Sequence, residues 1–207
     1  MFGSSSKGIV WGEKALFYYD IKQNKVISIN EKQTNNVVFD PLKDEVYYCK
    51  ENRPQIIEKY SIKTGERSVI ITKKEVLPVL ANCLRVSMDD IKKISIEEMY
   101  YCKEKVYFSV KTKMKGGYNR EVLLSYQVNK NLVLYEPELD NAKHLYLPWN
   151  EKHVFMILLG CVQGKWFWQG ENGLLKYDSK TGAVRLCDRD GMDNEIYAIK
   201  SMKELRK

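Results

Sequence analysis

Short runs of Val, Ile and aromatic residues alternate along this chain with polar turns that close on Gly or Asn. The stretch Tyr177-Asp178-Ser179-Lys180-Thr181-Gly182-Ala183-Val184 aligns without gaps on the segments beginning at Tyr19, Tyr60 and Tyr126. In each, an aromatic residue ends an apolar run, a polar turn follows, and a second β-rich run begins. Asn24, Gly65, Asn131 and Gly182 fall where a tight hairpin needs a positive φ, which Asn and Gly tolerate best. Strand, turn and strand is a hairpin, and the pattern predicts it four times.

Aromatic runs upstream supply a further strand for each hairpin: Ile9-Val10-Trp11, Val46-Tyr47-Tyr48-Cys49, Val106-Tyr107-Phe108-Ser109 and Trp166-Phe167-Trp168. Upstream again, Val37-Val38-Phe39, Met99-Tyr100-Tyr101 and residues 154–159 read as an innermost strand for the later three units. Each unit is then four antiparallel strands, A to D, and the hairpin tyrosines lie 41, 66 and 51 residues apart, bracketing the ~40–50 residues of a propeller blade. The expected fold is all-β, a single-domain β-propeller of about four four-stranded antiparallel blades. The blades cover about 9–29 with 195–200, 36–72, 99–136 and 153–188. The lone strand at 195–200 either closes the ring by pairing with the first blade, or the four blades belong to a larger propeller.

Composition supports strands over helices. The 207 residues include 14 Tyr, 6 Phe and 4 Trp but only five Ala. The 34 Lys and Arg exceed the 27 Asp and Glu for a net charge of +7, spread in ones and twos rather than along one helix. That pattern suits an acidic protein or a glycan as partner and argues against nucleic acid. Five cysteines without a CxxC pair read as free thiols, and no zinc set is spaced for ligation. With neither a signal peptide nor an apolar stretch of about 18 residues, no membrane insertion is expected. A complete chain would be cytoplasmic; a fragment could be extracytoplasmic.

The fourth unit carries a specific likeness. Trp166-Phe167-Trp168, Gly170, Asn172-Gly173-Leu174, Tyr177-Asp178 and Thr181-Gly182 together resemble the two-component regulator propeller repeats. The resemblance implies the propeller fold and, in that family, extracytoplasmic sensing beside a histidine kinase. Kelch-like and quinoprotein-like propellers share similar hairpins.

Two stretches interrupt the repeat, about 73–98 and about 138–152, both between strand D of one unit and strand A of the next. The first holds Pro78 with Leu77, Leu80, Leu84, Ile91 and Ile94, part of which reads as a short amphipathic helix. Insertions in repeat proteins gather on the binding face. The longest B–C connection opens there too and is the densest basic stretch in the chain: Lys111, Lys113, Lys115, Tyr118 and Arg120. The matching loop of the second unit adds Arg53 beside Lys50 and Pro54, and the second insertion adds Trp149. These seven, Arg53, Lys111, Lys113, Lys115, Tyr118, Arg120 and Trp149, are the candidate ligand-binding residues, for an acidic protein patch, a phosphorylated group or an anionic glycan.

No catalytic constellation assembles. Ser4 to Lys7 has a Ser-x-x-Lys form, but both Lys-Thr-Gly copies, at 63–65 and 180–182, are accounted for by the hairpin turn. Only His144 and His153 could serve a triad, and the carboxylate pairs Asp89-Asp90 and Glu97-Glu98 fall in the first insertion. The expectation is a binding module without catalytic residues, metal or cofactor, with glycan recognition second and a propeller hydrolase or lyase third.

Overall fold

A computed structural model describes residues 7–10, 15–102, 104–137 and 140 with their side chains. It describes residues 2–3, 11 and the strand residues between 144 and 199 as backbone. The chain divides into two compact units, Met1–Tyr135 and Glu136–Lys207.

The first unit contains three four-stranded antiparallel sheets, each with its strands in chain order. Sheet 1 is β1 (Phe2–Gly3), β2 (Lys7–Trp11), β3 (Leu16–Asp20) and β4 (Lys25–Asn30). Sheet 2 is β5 (Thr34–Asp40), β6 (Glu45–Lys50), β7 (Arg53–Ser61) and β8 (Arg67–Ile71). Helix α1 (Lys73–Leu84) and a single 3-10 turn (Met88–Asp90) lead to sheet 3. Its strands are β9 (Ile91–Cys102), β10 (Lys105–Met114), β11 (Asn119–Gln127) and β12 (Leu132–Tyr135). The predicted turn residues adopt the left-handed backbone expected of them: Asn24 at φ 48°, Gly65 at 73° and Asn131 at 51°. The turn holding Gly182 lies outside the described residues.

The second unit contains a two-stranded ribbon, β13 (His144–Leu147) with β14 (Lys152–Phe155). Sheet 4 follows as β15 (Ile157–Val162), β16 (Lys165–Gly170), β17 (Gly173–Asp178), β18 (Val184–Cys187) and β19 (Glu195–Ile199), again in chain order. The innermost strand expected at 154–159 is thus divided between β14 and β15. The pairing expected between 195–200 and the first sheet is not made. β19 pairs instead with β18 as a fifth strand, and the first position of sheet 1 is held by β1. Neighbours in sequence pair at least entropic cost, which favours the local partner.

Burial sets how the three sheets of the first unit pack. Strands β5 and β6 alternate between two cores. Val37, Phe39, Val46 and Tyr48 join Ile9, Leu16, Tyr18 and Ile29 of sheet 1. Val38, Tyr47 and Cys49 join Ile94, Ile96, Val106, Phe108 and Val110 of sheet 3. Successive side chains point to opposite faces, so a strand with apolar residues at every position is buried on both. Polar ties add direction: Asn36 Nδ2 donates to the Ile96 carbonyl at 3.1 Å, and the Tyr101 hydroxyl donates to Asp40 at 2.5 Å. Asp40, fully buried, also accepts the Leu42 and Lys43 amides of its own turn.

Helix α1 begins in a capping box, with Thr72 Oγ1 accepting the Lys74 amide and the Glu75 carboxylate accepting the Thr72 amide. Val76 and Leu80 enter the core of sheets 2 and 3, and Arg85 closes the helix in the left-handed region at φ 56°. The helix spans Pro78, and Ile91 and Ile94 belong to β9 rather than to the helical segment. Cys49 and Cys83 are not disulfide-bonded, whereas Cys102 is, a correction to the free-thiol expectation there. Spacing along the chain carries no signal for it, because a disulfide needs proximity in space.

Phe108 is fully buried between sheets 2 and 3. Phe108→Ala is expected to cost about 3–5 kcal/mol, read as a fall in the urea midpoint at constant m-value. Glu45 accepts from Tyr47 and from Lys59, both at 2.7 Å. Burial alone would raise its pKa, but those two bonds outweigh it and hold the carboxyl below its ordinary 4.5. A depressed folded value contributes stability above the unfolded pKa that is lost as pH falls through the folded one. Glu45→Gln is therefore expected to lose less stability than the parent between pH 6 and pH 3, by urea unfolding at each pH.

Candidate functional site

Both faces of strands β5 and β6 are spent on packing, so accessible chemistry beside them concentrates where the strands end. The β4–β5 connection, the β6–β7 turn, the α1 segment and the β10–β11 turn emerge at one end, as the antiparallel order of each sheet requires. Near it, the interfaces between sheets change from apolar to polar.

Between sheets 1 and 2, beyond Tyr48 and Tyr60, lies a pocket of about 220 Å³ lined by Asn30, Lys32, Lys50, Asn52, Arg53 and Arg67. Four of the six are cations and none is a carboxylate. Two are fixed by the protein. Arg67 donates to the Ile29 carbonyl at 2.5 Å and its guanidinium carbon lies 5.7 Å from the Tyr60 ring centre. Lys50 pairs with Glu58 at 2.7 Å, and Glu58 also accepts the Tyr48 hydroxyl at 3.0 Å. Burial drives the Tyr48 pKa upward, so its hydroxyl stays a donor. The side-chain cations of Lys32 and Arg53 have no hydrogen-bond or ion-pair partner among the described residues. Asn30, largely buried, fixes its amide by donating to the Lys32 carbonyl at 2.8 Å.

The corresponding space between sheets 2 and 3 is different. It measures about 360 Å³ and is lined by Thr34, Asn35, Asn36, Pro54, Ser95, Ile96 and Glu97, with a single charge. The Thr34 hydroxyl is buried without a hydrogen-bond partner. Adjacent interfaces of similar construction thus offer one strongly cationic pocket and one of amides and hydroxyls.

The β10–β11 hairpin does not form the single basic surface expected of it. Lys111 and Lys113 alternate with the inward Thr112 and Met114, placing both at the exposed end of the face of sheet 3 that carries the buried Tyr107 and Ser109. There Lys113 lies directly opposite Lys93, and Lys111 opposite Glu121. Arg120 pairs in register with Thr112, which assigns it to the other face, and its guanidinium lies 5.6 Å from the Tyr118 ring centre. Lys115, in the turn, is 3.9 Å from Asp90. Arg53 stands apart from all five, in the pocket between sheets 1 and 2. Trp149 lies outside the described residues.

Of the residues lining this pocket, the sequence marks Lys50 and Arg53, as part of a basic rim shared with the β10–β11 loop, but not Asn30, Lys32 or Arg67. Those come from β4, its following connection and β8, and only sheet packing brings them together. The carboxylate pairs have structural partners: Asp90 accepts the Ser87 amide, Glu97 the Ser95 hydroxyl and Glu98 the Tyr100 hydroxyl. Among the described residues no group of three or more His, Cys, Asp or Glu is placed to hold a metal ion, and no helix is long and apolar enough to cross a membrane.

No family model matches this chain, and no curated protein matches it by sequence. Among solved structures, the AfRom2 CNH domain is similar over 94% of this chain and 81% of that one, at 6% identity and a TM-score of 0.36. A likeness that slight bears on neither fold nor function.

Opposed like charges on neighbouring strands are destabilising. Lys113→Glu, which sets an acid against Lys93, is expected to raise stability by about 0.2–1 kcal/mol at low salt. The gain should shrink in 0.5 M sodium chloride, as thermal unfolding at the two salt concentrations would show.

Proposed function

We propose that this chain is a non-catalytic binding module, built as a β-propeller, whose loop end takes an acidic segment of a protein partner. The propeller reading is supported by successive meander sheets in chain order, by their face-to-face packing in the first unit and by the recurrence of left-handed Asn or Gly at the third turn of each sheet there. In this reading each meander is one blade.

The observation that carries the binding assignment is the pocket between sheets 1 and 2. Lys32, Lys50, Arg53 and Arg67 converge on a small volume with no lining carboxylate. Bringing like charges together costs electrostatic energy that an anionic partner recovers. Lys93, Lys111 and Lys113 extend the positive field over the same end of the unit. A second reading, recognition of a glycan, draws on the neighbouring pocket of Thr34, Asn35, Asn36 and Ser95, whose hydroxyls and amides match sugar hydroxyls.

The test is fluorescence anisotropy of the full chain with labelled peptides. A Glu/Asp-rich peptide is expected to bind and a Lys-rich peptide of equal length not to bind, with affinity falling as salt rises. Lys32→Glu with Arg53→Glu should weaken the acidic peptide by at least about tenfold, a change of about 1.4 kcal/mol. Equal affinity for both peptides, or none for the acidic one, would overturn the assignment.

A further inference from the structure

We infer that the pocket between sheets 1 and 2 receives a phosphate monoester carried on a partner protein, a phosphorylated side chain rather than a run of carboxylates. This rests on the reading above and narrows it, making the acidic partner a phosphoprotein.

Three observations carry the assignment. The first is charge. A phosphomonoester brings about −1.5 to −2 charges and three strong acceptor oxygens on one atom. With Lys50 already paired to Glu58, a lone carboxylate would neutralise one of the remaining three cations and leave two mutually repelling. Since Glu58 already balances Lys50 at 2.7 Å, Lys32, Arg53 and Arg67 hold the excess, which a dianion meets most closely.

The second is donor geometry. Guanidinium groups present planar forks that bind phosphate oxygens in pairs, and this pocket has two, from Arg53 and Arg67. Arg67 is held before any ligand arrives, by its bond to the Ile29 carbonyl and its position over the Tyr60 ring. Lys50 is held likewise by Glu58. A pair of cations already in place reduces the ordering cost of binding, while Arg53 and Lys32 retain donors for the ligand.

The third is size. About 220 Å³ falls below the roughly 300–1,000 Å³ of pockets that enclose drug-sized ligands, and suits a phosphate on a short stem. The ring with which a base or sugar could stack, Tyr60, already faces the Arg67 guanidinium. The cations form a cluster rather than the extended track that a nucleic-acid backbone needs.

The experiment uses the full chain and a degenerate peptide library with one fixed phosphoserine, its two counterparts with Ser or Glu at that position, inorganic phosphate and a single-stranded oligonucleotide. Phosphoserine peptides are expected to bind at least about tenfold tighter than Glu peptides, a 1.4 kcal/mol preference. Inorganic phosphate should compete only weakly, since it lacks the peptide's contacts. Lys32→Ala with Arg53→Ala, which remove side chains without protein partners and leave the backbone contacts in place, should abolish the preference while leaving the unfolding midpoint within error. Arg53→Lys, which keeps the charge but not the fork, should reduce the preference while retaining acidic-peptide binding.

Equal affinity for phosphoserine and Glu peptides would overturn the inference and leave the acidic-partner reading intact. Loss of both would remove the two together. A preference that survives the double alanine variant would overturn this location, and inorganic phosphate or the oligonucleotide binding as tightly as the phosphopeptide would overturn the choice of ligand.

Discussion

Strands β5 and β6 of sheet 2 have almost no face left for solvent, and the rest of the first unit is arranged around that constraint. They send alternate residues into two separate cores, Val37, Phe39 and Tyr48 one way and Val38, Tyr47 and Cys49 the other. A strand of this kind cannot slip by one position without exchanging its two sets of contacts, so register is specified from both sides. Each buried residue of Val, Ile or Phe size contributes about 1.5–3 kcal/mol, and both neighbouring sheets depend on the same strands to be covered. Tyr101 to Asp40 and Asn36 to Ile96 then bind sheet 2 to sheet 3 through polar groups that apolar packing alone would not orient.

Once the faces are consumed, chemistry is left to the strand ends, where the sheets no longer fill the space between them. The two interfaces treat that space differently. Sheets 1 and 2 finish in Lys50, Arg53 and Arg67, whereas sheets 2 and 3 finish in Thr34, Asn36 and Ser95. Pro54 beside Arg53 shows how close the two are in sequence: one strand, β7, starts by contributing a residue to each. The same alternation that divides the core thus divides the polar surface, and neighbouring residues serve different pockets.

Strands and turns were legible in the sequence because they depend on local chemistry. Asn24, Gly65 and Asn131 announced left-handed turns, and Val46 to Cys49 announced a buried strand, since neither needs knowledge of distant residues. What lay beyond reach depended on partners far along the chain. The hairpin from Lys111 to Arg120 looked like one basic surface in a linear reading, but pleating distributes it over two faces, with Arg120 across from Thr112. Arg67 gave no sign of joining Arg53, because its approach to the Ile29 carbonyl depends on how sheet 1 packs on sheet 2. Strand pairing at the chain's end was equally non-local: β19 resembled a closing strand until its register with β18 placed it within its own sheet.

Glu58 joins the two themes. It is buried, it accepts the hydroxyl of Tyr48 from the core of sheets 1 and 2, and it holds the ammonium of Lys50 at the pocket. A buried carboxylate is tolerable only when paired and hydrogen-bonded, and here one partner belongs to the core and the other to the binding surface. The order of the pocket is therefore tied to the order of the core beneath it. A ligand that draws Lys50 toward itself acts on Glu58 and, through it, on Tyr48, while an intact core presents Lys50 and Arg67 already in position. The pocket gains a prearranged pair of cations because the sheets meet as they do, and the sheets meet as they do because β5 and β6 are apolar on both sides.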